Sequence, residues 1–301
     1  MQLEAIEQLT KFFVQLEVER NVSAYTLKSY QHDLDQLRVF CETKRIDTWP
    51  TITPSLIRAH IANRHKQGIS SKSLQRELSA IRSFFRYLLK HHWTNINPAQ
   101  HVKAPKQART LPKTLDVDQI SGLLEAGTNS ILEVRDIAMF ELFYSSGIRL
   151  GELVALNIDD VDFSSKLVRI NAGKGGKARI LPIGSKAIVA LQNWRQQRRP
   201  RTESEPAFFL SNKGSRLSER SVQYRLSAWC QKKEVGQHVH PHMLRHSFAS
   251  HILQASQDLR AVQELLGHSH ISTTQIYTHL DFQHLVTVYD STHPRAKKNS
   301  T

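Results

Sequence analysis

The chain has 301 residues, with 41 Lys and Arg against 27 Asp and Glu, a formal net charge of +14. At about 100–200 residues per domain, this length accommodates two domains. A composition of 40% hydrophobic and 23% charged residues excludes collagenous, disordered and membrane-spanning classes. The positive excess favours a polyanionic partner. No Lys-rich amphipathic segment with an aromatic face accompanies it, so nucleic acid fits better than a membrane. The start, MQLEAIEQLTKFF, lacks a secretory layout. The two cysteines, Cys41 and Cys230, form neither a disulfide framework nor a CxxC zinc site, and a reducing, cytoplasmic setting is expected.

The first hundred residues read as four helices. Leu3, Ile6, Leu9, Phe12, Phe13 and Leu16 recur at helical spacing over 2–18. Ser23 is placed to cap a second helix carrying Leu27, Tyr30, Leu34, Leu37 and Phe40. Thr53-Pro54 opens a third, and Ser71 opens a fourth with Leu74, Leu78, Ile81, Phe85 and Leu88. Charge is uneven here. Residues 48–105 hold nine Lys and Arg against the single acid Glu77, whereas residues 1–47 are net negative. Lys72, Arg76, Arg82 and Arg86 lie largely off the apolar positions of the fourth helix, which predicts a DNA-phosphate-binding face.

Asn97-Pro98 and Ala104-Pro105 break the pattern, and a polar, basic linker is expected over 106–112. Asp116 with Gln119 forms a capping-box signature for a new helix. Helices are predicted at about 117–126 and 131–146, then three short strands within 161–183 around the glycine-rich turn Gly173-Lys174-Gly175-Gly176-Lys177. Further helices are predicted at about 186–198, 218–232, 242–254, 258–266 and 273–283.

Five stretches could carry chemistry. Gly147 interrupts an apolar helix and Arg149 follows, with Glu152 one turn on to orient its guanidinium. Lys174 sits at a turn tip; its GKGGK lacks P-loop spacing and lies between strands. His242 and Arg245 share the opening turn of a helix. His242 and His246 have a metal-compatible spacing, but Met243 stands where HExxH needs a Glu, and no carboxylate pair completes a site. Gly267 is placed to end a helix and expose His268. Ser272 caps a short helix bearing Tyr277. Taken singly, each has an ordinary structural reading.

In order, R-L-G-E-L, G-K-G-x-K, H-x-L-R-H, L-L-G-H and T-T-x-x-Y-x-H resemble the tyrosine recombinase (phage integrase) family over almost the whole chain. The runs VHPHMLRHSFASH and VQELLGHSHISTTQIYTHLDFQHL and the ending VYDSTHPRAKK are most similar to its Xer branch, which resolves chromosome dimers. The resemblance implies a mainly α fold with a small β-sheet. It comprises a helical SAM-like core-binding domain (1–105) and an α-rich catalytic domain with a three-stranded sheet (113–284). A tail (285–301) would meet a neighbouring subunit, since Leu285, Val286, Val288 and Tyr289 have little of their own domain left to pack on.

The resemblance also implies roles. Tyr277 would be the nucleophile forming a 3′-phosphotyrosyl bond. Arg149, Arg245 and His268 would hold the phosphate, His242 would act as base, Lys174 would protonate the leaving 5′-oxygen, and Glu152 would support Arg149. No metal or other cofactor is implied. The partners would be a double-stranded DNA site and an XerD-like recombinase in a two-plus-two heterotetramer, with room for a cell-division DNA translocase. The alternatives are a phage- or mobile-element-type integrase of the same family, which an added arm-binding domain would favour, and a non-catalytic DNA-binding accessory protein.

Overall fold

The computed structural model describes residues 1–18, 22, 24–106, 114–125, 127–171, 178–266 and 288–296. The chain divides into two compact units, Met1–Thr110 and Leu111–Thr301.

The first unit holds α1 (Leu3–Val18), α2 (Ala24–Thr43), α3 (Pro54–Lys66) and α4 (Ser71–Lys90). Thr53 and Ser70 cap α3 and α4 through their hydroxyls, satisfying amides that helix starts leave unpaired. Leu74, Leu78, Ile81, Phe85 and Leu88 are buried on one stripe of α4 and meet Phe12, Leu34, Leu37 and Trp49. Trp49 lies in a short 3₁₀ turn that the periodicity did not anticipate, and its indole donates to the Ala5 carbonyl at 2.7 Å. Glu77, the lone acid of the basic stretch, is buried, contacting His60 at 2.6 Å and accepting from Arg64 at 3.4 Å.

The second unit comprises α5 (Val117–Leu124), α6 (Ile131–Ser146), α7 (Leu150–Ala155), β1 (Val161–Asp162), β2 (Leu167–Ile170), β3 (Arg179–Pro182), α8 (Ser185–Gln197), α9 (Glu219–Lys232), α10 (Pro241–Ser256) and α11 (Leu259–Leu266). The strands form an antiparallel sheet in the order β1-β2-β3, with Val168 opposite Leu181 and Ile170 opposite Arg179. The Asp116–Gln119 capping box is formed. Helix α6 is central, packing against α5, α8, α9 and α10, and its buried face extends almost around it. That explains its weak amphipathic pattern and its buried polar groups. Asp136, fully buried, takes hydrogen bonds from Arg135 and from Arg225 on α9.

Gly147 ends α6 in the left-handed conformation at φ 58°. A Cβ there would stand 2.5 Å from the Phe248 ring and 3.2 Å from Leu266. Both backbone and space therefore require glycine. The resulting reversal starts α7, a helix the periodicity did not anticipate, with Arg149 at its N-cap.

Of the tail, residues 288–296 are described, and they find packing surface on their own unit where little was expected; Leu285 and Val286 lie outside the described residues. Tyr289 is buried in the main core with Val288 and Ala296. Its hydroxyl meets Ser145 Oγ at 2.7 Å, and Ser145 Oγ accepts from the Gly184 amide at 2.6 Å. His293 stacks on Tyr289 and bonds the Tyr144 carbonyl at 3.1 Å. Arg295 donates to Glu141 and to Glu125. A Cβ on Gly184 would fall 2.6 Å from the Arg295 carbonyl, so the recess exists because that turn is bare. A recess formed by the α6 end, the β3–α8 turn and α10 leaves no mark on the tail's own sequence.

Candidate active site

Helix α7 begins the site. Arg149 at its N-cap donates its own amide to Glu152 Oε2 at 2.8 Å and its Nη1 to Glu152 Oε1 at 2.9 Å. The carboxylate thus caps the helix and holds the guanidinium, as the i, i+3 spacing suggested. A residue the sequence reading missed completes this arrangement. Arg179, first residue of β3, donates Nη1 to Glu152 Oε1 at 2.8 Å and Nη2 to Oε2 at 2.7 Å, a bidentate pair. Burial alone would raise the Glu152 carboxyl, but the hydrogen bonds from Arg179 and Arg149 outweigh it and hold the pKa at about 2.

Arg245 reaches the same place from the first turns of α10. Its Nη2 donates to the Leu266 carbonyl at 2.7 Å, and its Nη1 donates to the Gly147 carbonyl. Arg149 Nη2 approaches the same Leu266 carbonyl at 3.4 Å. Burial, then the charge of Arg149, pushes the Arg245 pKa down to about 10, which still leaves it charged at neutral pH. Arg149 and Arg179 thus share one carboxylate, Arg245 joins Arg149 at the Leu266 carbonyl, and the excess positive charge of the three guanidiniums suits a phosphate. Arg149 keeps 42% of its side chain exposed, so the cluster faces solvent at one side.

His242 lies on the exposed second position of α10, one turn before Arg245. The helix is capped by His240, whose Nδ1 accepts from the Met243 amide at 3.2 Å. Burial and the neighbouring histidines 242, 238 and 246 lower the His240 pKa, favouring the neutral ring that this acceptor requires. Lys174, His268 and Tyr277 lie outside the described residues. Leu266, the carbonyl shared by the two arginines, is two positions before His268. Among the described residues, no three His, Cys, Asp or Glu side chains group as metal ligands.

In the first unit, the four basic candidates separate into two kinds. Arg76 is held bidentate by buried Asp33, both bonds 2.8 Å. Arg82 donates to the carbonyls of Ala99 and Val102 at 2.9 and 2.5 Å. Both guanidiniums hold their own unit together. Lys72 and Arg86 stand exposed on α4.

Comparison with known proteins gives the class. Residues 113–284 match the phage integrase family model and residues 9–92 match the phage integrase N-terminal SAM-like domain. The chain therefore belongs to the phage integrase family, the tyrosine recombinases, and is a DNA strand-exchange enzyme. It is 49% identical over 296 residues to tyrosine recombinase XerC of Pseudomonas syringae pv. syringae strain B728a, covering 98% of each chain. It is 51% identical over 291 residues to tyrosine recombinase XerC of Azotobacter vinelandii strain DJ, covering 96% of this chain and 97% of that one. Its fold resembles that of XerH site-specific recombinase bound to its difH substrate, with a TM-score of 0.67 at 23% identity, over 89% of this chain and 80% of that one. No helix among the described residues is long and apolar enough to cross a membrane.

Proposed function

We propose that this enzyme cuts and rejoins double-stranded DNA at a specific recombination site through a 3′-phosphotyrosyl intermediate. The observation that carries this reading is a cluster of arginines: Arg149 and Arg179 hold the Glu152 carboxylate, and Arg245 meets Arg149 at the Leu266 carbonyl. Arg149 and Arg245 neutralise the non-bridging oxygens of the scissile phosphate as charge develops on them, and His268 adds a hydrogen bond. Tyr277 attacks phosphorus. A phenol titrates near 10, so a base must assist at neutral pH, and His242 takes that proton. The P–O5′ bond breaks as the P–O(Tyr277) bond forms, and Lys174 protonates the departing 5′-oxygen. The intermediate keeps the phosphodiester energy, so a 5′-hydroxyl from the partner duplex rejoins the strand without ATP.

Near 50% identity over the full length of XerC recombinases supports the finer reading. Two copies act with two copies of an XerD-like partner to resolve chromosome and plasmid dimers at cell division, in the cytoplasm and in concert with a DNA translocase. Lys72 and Arg86 contact the DNA backbone. Incubation with a nicked suicide duplex in EDTA tests the chemistry. A DNA-linked protein band resistant to denaturation is expected; its absence under conditions where the DNA is bound would refute the reading.

A further inference from the structure

Arg179 is the inner arginine of the cluster. Its side chain is 13% exposed against 42% for Arg149. Both of its Nη atoms are spent on Glu152, and its Nε finds no acceptor among the described residues. Among the described residues, Glu152 alone therefore defines the polar seat of this guanidinium. Glu152 is itself only 12% exposed and accepts four N–H bonds, two from Arg149 and two from Arg179.

A charge count shows what each arginine does. Without Arg179, Glu152 and Arg149 would form a neutral pair, and among the described side chains of the cluster Arg245 alone would supply net positive charge. The carboxylate that orients Arg149 would also repel the phosphate that Arg149 has to bind. With Arg179 present, the carboxylate is neutralised from behind and Arg149 keeps its full charge toward solvent. We infer that Arg179 is a positioning residue: it neutralises Glu152, so that Glu152 fixes the geometry of Arg149 without cancelling the field at the scissile phosphate. This rests on the reading above that Arg149 and Arg245 hold that phosphate.

The test compares Arg179→Gln, Arg179→Lys and the double variant Arg179→Gln/Glu152→Gln in the full chain. The readouts are single-turnover cleavage of the nicked suicide duplex, DNA affinity and melting temperature. Arg179→Gln is expected to slow cleavage by about 10–100-fold, as for groups that support a site from behind, with DNA affinity nearly unchanged. Arg179→Lys should recover part of the loss, since it keeps the charge without the fork. The double variant should cleave faster than Arg179→Gln, because the uncompensated carboxylate is gone. A merely structural arginine predicts the opposite, since losing a second native side chain would slow cleavage further or leave it as slow. That result, or wild-type cleavage by Arg179→Gln, overturns the inference. If Arg179→Gln does not fold, the double variant and Arg179→Lys decide by the same comparison with wild type. An Arg149→Gln control separates the two levels: if it too cleaves at the wild-type rate, the phosphate reading itself has failed.

Discussion

Arg245 Nη2 donates to the carbonyl of Leu266 at 2.7 Å, tying the guanidinium of α10 to the last described residue of α11. The same guanidinium holds the Gly147 carbonyl, where α6 ends. One side chain thus joins three helix ends while presenting its charge beside Arg149. Arg245→Lys would keep a charge but lose the planar fork that serves both carbonyls. Its single-turnover cleavage should fall by roughly 100-fold or more, the scale for removing one preorganised donor, with DNA affinity little changed. A lysine variant cleaving within a few-fold of wild type would show that the fork is dispensable.

Gly147→Ala tests the same junction from the backbone side. Its added methyl would meet Phe248 and Leu266 at a left-handed position. The loss of stability should exceed the roughly 1 kcal/mol of an ordinary backbone effect at such a position. Melting curves check this; an unchanged melting temperature would contradict the packing described.

The tail gives a pH-dependent prediction. Deleting residues 288–301 should destabilise the catalytic unit, and Tyr289→Ala alone should cost about 3–5 kcal/mol, the range for emptying a large aromatic site. Burial drives the His293 pKa down to about 4, with Arg295 and His251 adding to the shift and the bond to Tyr144 opposing it. Its ordinary value is 6.5, so the unfolded chain binds the extra proton between those pH values. The contribution of neutral His293 is complete above pH 6.5 and is lost as the pH falls toward 4. Thermal melts of the wild type should weaken on acidification through that window. In His293→Gln the acid sensitivity should shrink; an identical pH profile would sink this assignment.

DNA affinity should fall steeply with salt, with a log–log slope of about −0.9 per phosphate neutralised. Lys72→Ala and Arg86→Ala should each flatten that slope by about one phosphate without changing stability. Arg76→Ala should instead lower stability, because it strands buried Asp33. Equal salt slopes for all three variants and wild type would remove α4 from the DNA interface.

Much of this architecture was readable along the chain because its signals are local. Thr53, the Asp116–Gln119 box, Gly147 and the Arg149–Glu152 spacing each act within a turn or two, and the structure has them as read. What escaped depends on residues far apart. Arg179 lies 27 positions from Glu152, at the start of a four-residue strand, and nothing in its neighbourhood announces a half-buried carboxylate. The pairing of Arg76 with Asp33 was not legible, because the two lie 43 positions apart on different helices. The tail looked unpartnered because its seat is assembled from Tyr144, Ser145 and Gly184.

In the proposed reaction Tyr277 becomes covalently bonded to a 3′-phosphate. The most direct measurement is mass spectrometry of peptides from the suicide-substrate adduct after nuclease digestion, run beside Tyr277→Phe. The residual nucleotide is expected on Tyr277, and the Phe variant should bind DNA with near-normal affinity but form no adduct. A nucleotide on any other residue, or an adduct with the Phe variant, would contradict it.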